Sequence, residues 1–262
     1  MTTWEEFLPT RRAKDGVFFD LRDVMDWYYP EGWTYRTAAH AGSDIGAPVN
    51  AIASLARAYY SSLVFILTPG YWRQTVPFSS EAIEGNHLEG VGGKTAVNIF
   101  YDNATQPYLL YTGGPSGDPR EGGSKATDIV VILEEGLGPC SDFLVLAVPA
   151  DGRAPSAFKF DGIFATSSAG SSWRRGIYAD GRPAITPYGI RVGDFRNCTF
   201  FARIPSEVYG AVKWTFYPNI GLYPMEAEDT GHKLRLESCY NVQYDRSIEI
   251  IDGGYNDACG PI

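Results

Sequence analysis

The sequence predicts an all-β fold in which short strands stack as a solenoid behind one N-terminal capping helix. Three observations carry that expectation. The 262 residues include 29 Gly and 17 Pro, and 14% are aromatic, a mixture that favours short strands joined by tight turns. Three downstream segments align without gaps at a long period, the mark of a repeat architecture. Apolar residues at helical spacing precede a succession of strand-like runs.

Composition also excludes function classes. A net charge of −9 opposes general nucleic-acid binding, which needs a basic patch, and docking on anionic lipid. The apolar runs, Leu63 to Leu67 among them, are too short to span a bilayer, so no membrane insertion is expected. Cys140, Cys198, Cys239 and Cys259 form no CxxC pair and no ligand spacing with His40, His87 or His232. They read as reduced thiols packed like small hydrophobes, and neither a metal nor a cofactor is called for. The first 20 residues lack the apolar core of a signal peptide, so synthesis in a cytoplasm is expected.

Taken in order, residues 1–42 form an aromatic-rich, irregular extension with Trp27, Tyr28, Tyr29, Trp33 and Tyr35 close together, read as a docking segment. The second unit, 43–262, is a single domain. It opens with Asp44 as N-cap and Pro48 in the first turn. Val49, Ile52, Ala53, Ala56 and Tyr59 or Tyr60 then give an amphipathic helix ending near Ser61. Leu63 to Leu67 is a buried strand stopped by Thr68-Pro69-Gly70. Further strands are expected at 82–88, 96–101, 129–133, 143–148, 158–164, 176–178, 189–192, 195–201, 211–216, 234–242 and 247–251. A Gly/Pro/Ser loop is expected at 113–127.

The repeat aligns Phe158-Lys-Phe-Asp-Gly-Ile163-Phe with Gly193-Asp-Phe-Arg-Asn-Cys198-Thr and Leu234-Arg-Leu-Glu-Ser-Cys239-Tyr, at offsets of 35 and 41 residues. Apolar Phe160, Phe195 and Leu236 point inward, and Gly162, Asn197 and Ser238 occupy turns. One turn cannot bury its own inward side chains, but stacked turns make a continuous core. Two outward columns follow, one of Lys159, Asp194 and Arg235, the other of Asp161, Arg196 and Glu237. Their alternating signs suit cross-strand ion pairing.

Asn50-Ala-Ile-Ala-Ser-Leu-Ala-Arg-Ala, Leu63-Val-Phe-Ile-Leu, Pro69-Gly70-Tyr71-Trp72-Arg73 and Ile83-Glu-Gly-Asn-His-Leu-Glu-Gly90-Val-Gly92-Gly93 follow one another in this chain, ahead of Tyr108-Leu-Leu-Tyr111-Thr-Gly. From Asp44 to Gly114 this resembles the opening of pectate-lyase-superfamily β-helices, including phage tailspikes. The resemblance implies a right-handed parallel β-helix whose helix plugs one end, shielding open strand edges. It departs at Asp44-Ile45-Gly46, where the family often has Asp-Asp-Thr. It also implies a homotrimer.

The family's glycosidases place paired carboxylates on one outer face, and a separation of about 5–9.5 Å suits sugar-linkage cleavage. The catalytic candidates are Asp161, Asp194 and Glu237, with Asp180 and Asp252 behind them; the alternative is solvated surface charge. Arg196 between Asp161 and Glu237 would imitate a lyase base, or belong to the ion-pair ladder. The acidic run 226–229 lacks the pattern of a dedicated calcium loop. Trp173, Tyr178, Trp214, Tyr217 and Tyr223 are the carbohydrate-binding candidates, because exposed rings stack on sugars; their alternative is to fill corners or an interface.

The expected function is a phage-like virion spike or attachment protein that meets host surface polysaccharide and joins other virion proteins through residues 1–42. The alternatives are an endo-acting polysaccharide hydrolase or lyase and a purely structural virion component.

Overall fold

The computed structural model describes residues 12–13, 16–37, 40–57, 59–60, 62–93, 95–112, 123–148, 155–181, 189–225, 234–252 and 256–262. The expected loop core at 113–122, His232 and the acidic run 226–229 lie outside the described residues, as do residues 1–11.

The fold is all-β, built on three large sheets and a two-stranded one in which Gly138–Cys140 pairs with Ser171–Trp173. After Leu63–Leu67 in the first sheet and Gly70–Gln74 in the second, a short helix, Ser80–Ile83, packs against the start of the third. The chain then visits first, second and third sheets in repeating order. His87–Gly90, Val97–Tyr101 and Leu109–Tyr111 make one pass; Lys125–Thr127, Val130–Leu133 and Leu144–Ala147 the next. Ser156–Asp161, Phe164–Ser167 and Arg175–Asp180 follow, then Ile190–Arg196, Thr199–Ala202 and Ile204–Tyr209, then Ala211–Phe216, Gly221–Pro224 and Leu234–Glu237. Gln243–Tyr244, Ile250–Asp252 and Gly260–Pro261 close the first and third sheets. Among the described residues, the ladder of Arg12–Ala13 on Gly16–Asp20 is antiparallel and the other strand ladders are parallel.

One inward column of the first sheet accounts for much of the core. Phe65, Leu88, Ala126, Phe160, Phe195, Phe216 and Tyr244 are register partners from strand to strand, and Phe19 begins the column. The rings stack at 5.3 Å for Phe160–Phe195 and 4.9 Å for Phe195–Phe216. Such pairs contribute roughly 0.5–1.5 kcal/mol each beyond their burial.

The segment expected as an extension belongs partly to this body. Gly16–Asp20 pairs with Leu63–Leu67, and helix α1 (Leu21–Tyr28) buries Leu21, Val24 and Met25. Helix α2 (Gly46–Ala56) buries Val49, Ile52, Ala53 and Ala56, as the apolar spacing requires. Its N-cap is Ile45 and not the expected Asp44; Asp44, one residue before, accepts from Ala47 N–H at 2.7 Å, and its other oxygen accepts from Thr75 and Val76 backbone N–H. One carboxylate thus ties the helix start to the loop after the second sheet's first strand.

The segment 82–88 is not a continuous strand. Ser79 Oγ accepts from Ala82 N–H, and Asn86 Nδ2 donates to the carbonyls of Glu81 and Ala82. These caps close a helical turn before the strand starts at His87.

The repeat holds for two of its three members. Phe158↔Gly193, Lys159↔Asp194, Phe160↔Phe195 and Asp161↔Arg196 pair in the anticipated register. Leu234–Glu237 instead lies in the third sheet, with Glu237 opposite Tyr209. The cause is a shared corner chemistry. Left-handed Asp128, Gly162 and Asn197 turn the chain from first to second sheet, while left-handed Gly210 and Ser238 turn it from third to first. A strand, a left-handed residue and a small buried one therefore recur at two different corners. Cys198 and Cys239 are both buried, but at those different corners, so they are not stacked on each other.

Candidate carbohydrate-binding face

The expected site residues fall on different faces. Asp161 and Asp194 project from adjacent strands of the first sheet, offset by two residues, which sets their Cα atoms about 8 Å apart. Asn197 Nδ2 donates to Asp161 at 2.9 Å, and Arg196 lies 3.9 Å from Asp194 with its guanidinium 4.0 Å above the Tyr217 ring. This is a surface ion-pair group, and Glu237 stands on another sheet.

Two aromatic expectations are corrected. Trp173 and Trp214 are fully buried. Their indole N–H groups donate to the carbonyls of Thr166 at 2.8 Å and Ile190 at 2.9 Å, which makes them core residues with satisfied polar tips. Tyr223 is exposed on the second sheet's outer face, stacked on Phe201 at 5.0 Å.

The third sheet's outer face gathers the rest. Period-two alternation in Arg175–Asp180, Ile204–Tyr209 and Leu234–Glu237 sends Tyr178, Glu207 and Arg235 outward in one column. Asp180, Tyr209 and Glu237 form the adjacent column. Two residues expected for separate roles, Tyr178 and Glu237, thereby meet on one surface with Asp180. Glu207, Tyr209 and Arg175 were not singled out in the sequence. Their signal was the outward alternation, visible only once the strands share a sheet.

Arg175 organises the face. Its guanidinium stacks 3.4 Å above the Tyr178 ring, donates to Glu207 at 3.2 Å, and reaches Asp142 at 2.7 and 2.9 Å. Arg174 donates to the same Asp142 at 2.6 and 2.9 Å. Burial raises the Asp142 carboxyl, but hydrogen bonds and charge from Arg175 and Arg174 outweigh it and hold the group below the usual aspartate range. Tyr178 donates to Asp180 at 3.2 Å. Burial, then the Asp180 charge, pushes the Tyr178 phenol up, so it stays a neutral donor. Arg235 approaches Glu237 at 3.4 Å and lies over the Tyr209 ring at 5.6 Å.

Chemically this is a fixed array of two phenol rings, two guanidinium groups and three carboxylates. The Tyr209 ring is buried, and the Tyr178 ring is covered on one face by the Arg175 guanidinium, while planar guanidinium and carboxylate groups bracket sugar hydroxyls. The diagonal neighbours Asp180–Glu207 and Glu207–Glu237 are offset by two residues on adjacent strands, about 8 Å between Cα atoms. Among the described residues, no group of three His, Cys, Asp or Glu is arranged to hold a metal ion.

No protein family matches the chain. Searches of curated proteins and of solved structures likewise return no match.

Proposed function

We propose that the chain is a right-handed parallel β-helix that binds surface polysaccharide on the outer face of its third sheet, as a virion spike or attachment protein. The observation carrying the binding reading is the Tyr178, Glu207, Arg235 column beside Asp180, Tyr209 and Glu237. The repeating first, second, third sheet order supports the helix, and parallel crossovers are right-handed in about 98% of cases. The virion setting rests on the tailspike resemblance of residues 44–114. Partly exposed Tyr28 and Tyr35 support docking of other virion proteins through residues 1–42. Exposed Tyr71, Tyr223 and Met225 on the second sheet support a homotrimer packed through that face.

Incubation with a panel of bacterial surface polysaccharides tests the reading. Saturable binding without chain shortening is the expected result; absence of binding across the panel contradicts it. The spacing of Asp180, Glu207 and Glu237 favours a second reading, an endo-acting polysaccharide hydrolase or lyase. Shortened chains, lost in Glu207→Gln and Glu237→Gln variants, would establish that activity.

A further inference from the structure

A pocket on the outer face of the first sheet stands apart from the surface just described. It encloses about 260 Å³ and is lined by Phe18, Val64, His87, Glu89 and Lys125 among others. The strand register builds it. Phe18↔Val64, Val64↔His87 and His87↔Lys125 are partners along neighbouring strands, so these side chains form one outward column beside the inward Phe19, Phe65 and Leu88. Glu89 lies two residues beyond His87 on the same strand, and so on the same face.

One end of the pocket is apolar, with the Phe18 ring 36% exposed beside a buried Val64. The polar side chains at its edge are spent within the fold. Ser62 Oγ donates to the Gly85 carbonyl at 3.1 Å, and Asn86 donates to the carbonyls of Glu81 and Ala82 while accepting from Leu63 N–H. His87 Nε2 meets Thr127 Oγ1 at 3.1 Å. Burial, then the Lys125 charge, lowers the His87 imidazole to about 4, so it is neutral at pH 7. The charges left facing the pocket are those of Glu89 and Lys125. They are diagonal neighbours, offset by two residues on adjacent strands, about 8 Å between Cα atoms. Glu89 comes within 3.8 Å of His87 Nδ1, too far for a hydrogen bond. Among the described residues it makes no ion pair with Lys125. A carboxylate and an ammonium held apart across a neutral imidazole, next to an apolar wall, complement a ligand that carries both charges and an apolar group.

We infer that this pocket binds a small zwitterion with an apolar side group, of the α-amino-acid class. Lys125 takes its carboxylate, Glu89 its ammonium, and Phe18 with Val64 its side group. The pocket lies on the first sheet, whereas Tyr178, Glu207 and Arg235 lie on the third, so either assignment can fail without the other.

Titration calorimetry of the full chain with phenylalanine, 3-phenylpropionate and phenethylamine tests the inference, because the last two each lack one charged group. Phenylalanine should bind saturably, and each of the others about tenfold more weakly or worse. Lys125→Met and Glu89→Gln should each weaken phenylalanine binding about tenfold, with the fold of each variant checked by circular dichroism. Lys125→Met should leave phenethylamine binding as it was, and Glu89→Gln should do the same for 3-phenylpropionate. Arg246→Gln, at an exposed turn, should change nothing. No saturable binding of phenylalanine, equal affinity for all three compounds, or unchanged phenylalanine affinity in either Lys125→Met or Glu89→Gln overturns the site.

Discussion

Phe195 and Phe216 lie ring over ring, centroids 4.9 Å apart and planes within 7° of parallel. Phe160 stacks on the other side of Phe195 at 5.3 Å, and Phe158 and Trp214 meet it at 5.9 and 5.7 Å. Phe195 is thus enclosed by rings from the strands on both sides, with little freedom for them to collapse inward. Phe195→Ala should cost about 3–5 kcal/mol. Urea denaturation should show this as a lower midpoint at unchanged slope.

Asp142 should govern part of the acid sensitivity. Its folded carboxyl is held below the ordinary aspartate range by Arg175 and Arg174, against the opposing effect of burial. A depressed folded value means that the stabilisation is present above the unfolded value of about 3.9 and is lost as pH falls below it. Asp142→Asn should cost about 3 kcal/mol at neutral pH, because two guanidinium groups lose their shared partner. It should also flatten the stability loss below pH about 4, followed by urea midpoints across pH.

His87 sets a second, higher window. Burial first, and the Lys125 charge second, lower its imidazole from 6.5 to about 4. The unfolded chain then takes up a proton between those values that the folded chain refuses, so stability falls as pH drops through that range. His87→Gln should remove that slope while leaving the lower one. Proton NMR of the His87 ring should show a midpoint near 4.

Glu134 anchors the N-terminal segment. Arg36 reaches it at 2.6 and 3.0 Å and His40 Nδ1 at 2.5 Å, while Arg36 also lies 3.6 Å above the Phe100 ring. Glu134→Gln removes the carboxylate charge that Arg36 and His40 both contact. Amide exchange should accelerate at 33–37 and 40–44 and stay unchanged in Ile190–Arg196. Equal protection in both regions would show that the anchor lies elsewhere.

Much of the strand content was legible because inward and outward residues alternate wherever only one face is buried. Val97–Tyr101 follows directly from that pattern. The aligned pair Phe158–Phe164 and Gly193–Thr199 gave its true register, since both segments turn at the same corner. The third member failed because Ser238 and Gly210 use the same left-handed turn at the opposite corner. That single slip carried Glu237 away from Asp161 and Asp194. The tryptophans were misplaced for a related reason. Their rings look like platforms in a sequence, but Thr166 and Ile190 offer carbonyls inside the core that satisfy both indoles. The candidate face needed the third sheet's register, which no local pattern contains.

The proposed face is tested most directly by comparing two tyrosines on different sheets. Tyr178 sits beneath Arg175 on the third sheet, and Tyr223 is exposed on the second. Binding of a polysaccharide ligand should be measured for the unaltered chain, Tyr178→Ala and Tyr223→Ala, with each fold checked by circular dichroism. Binding weakened about tenfold or more in Tyr178→Ala, and retained in Tyr223→Ala, is the predicted result. Retention in Tyr178→Ala with loss in Tyr223→Ala would place the glycan on the second sheet and contradict the account.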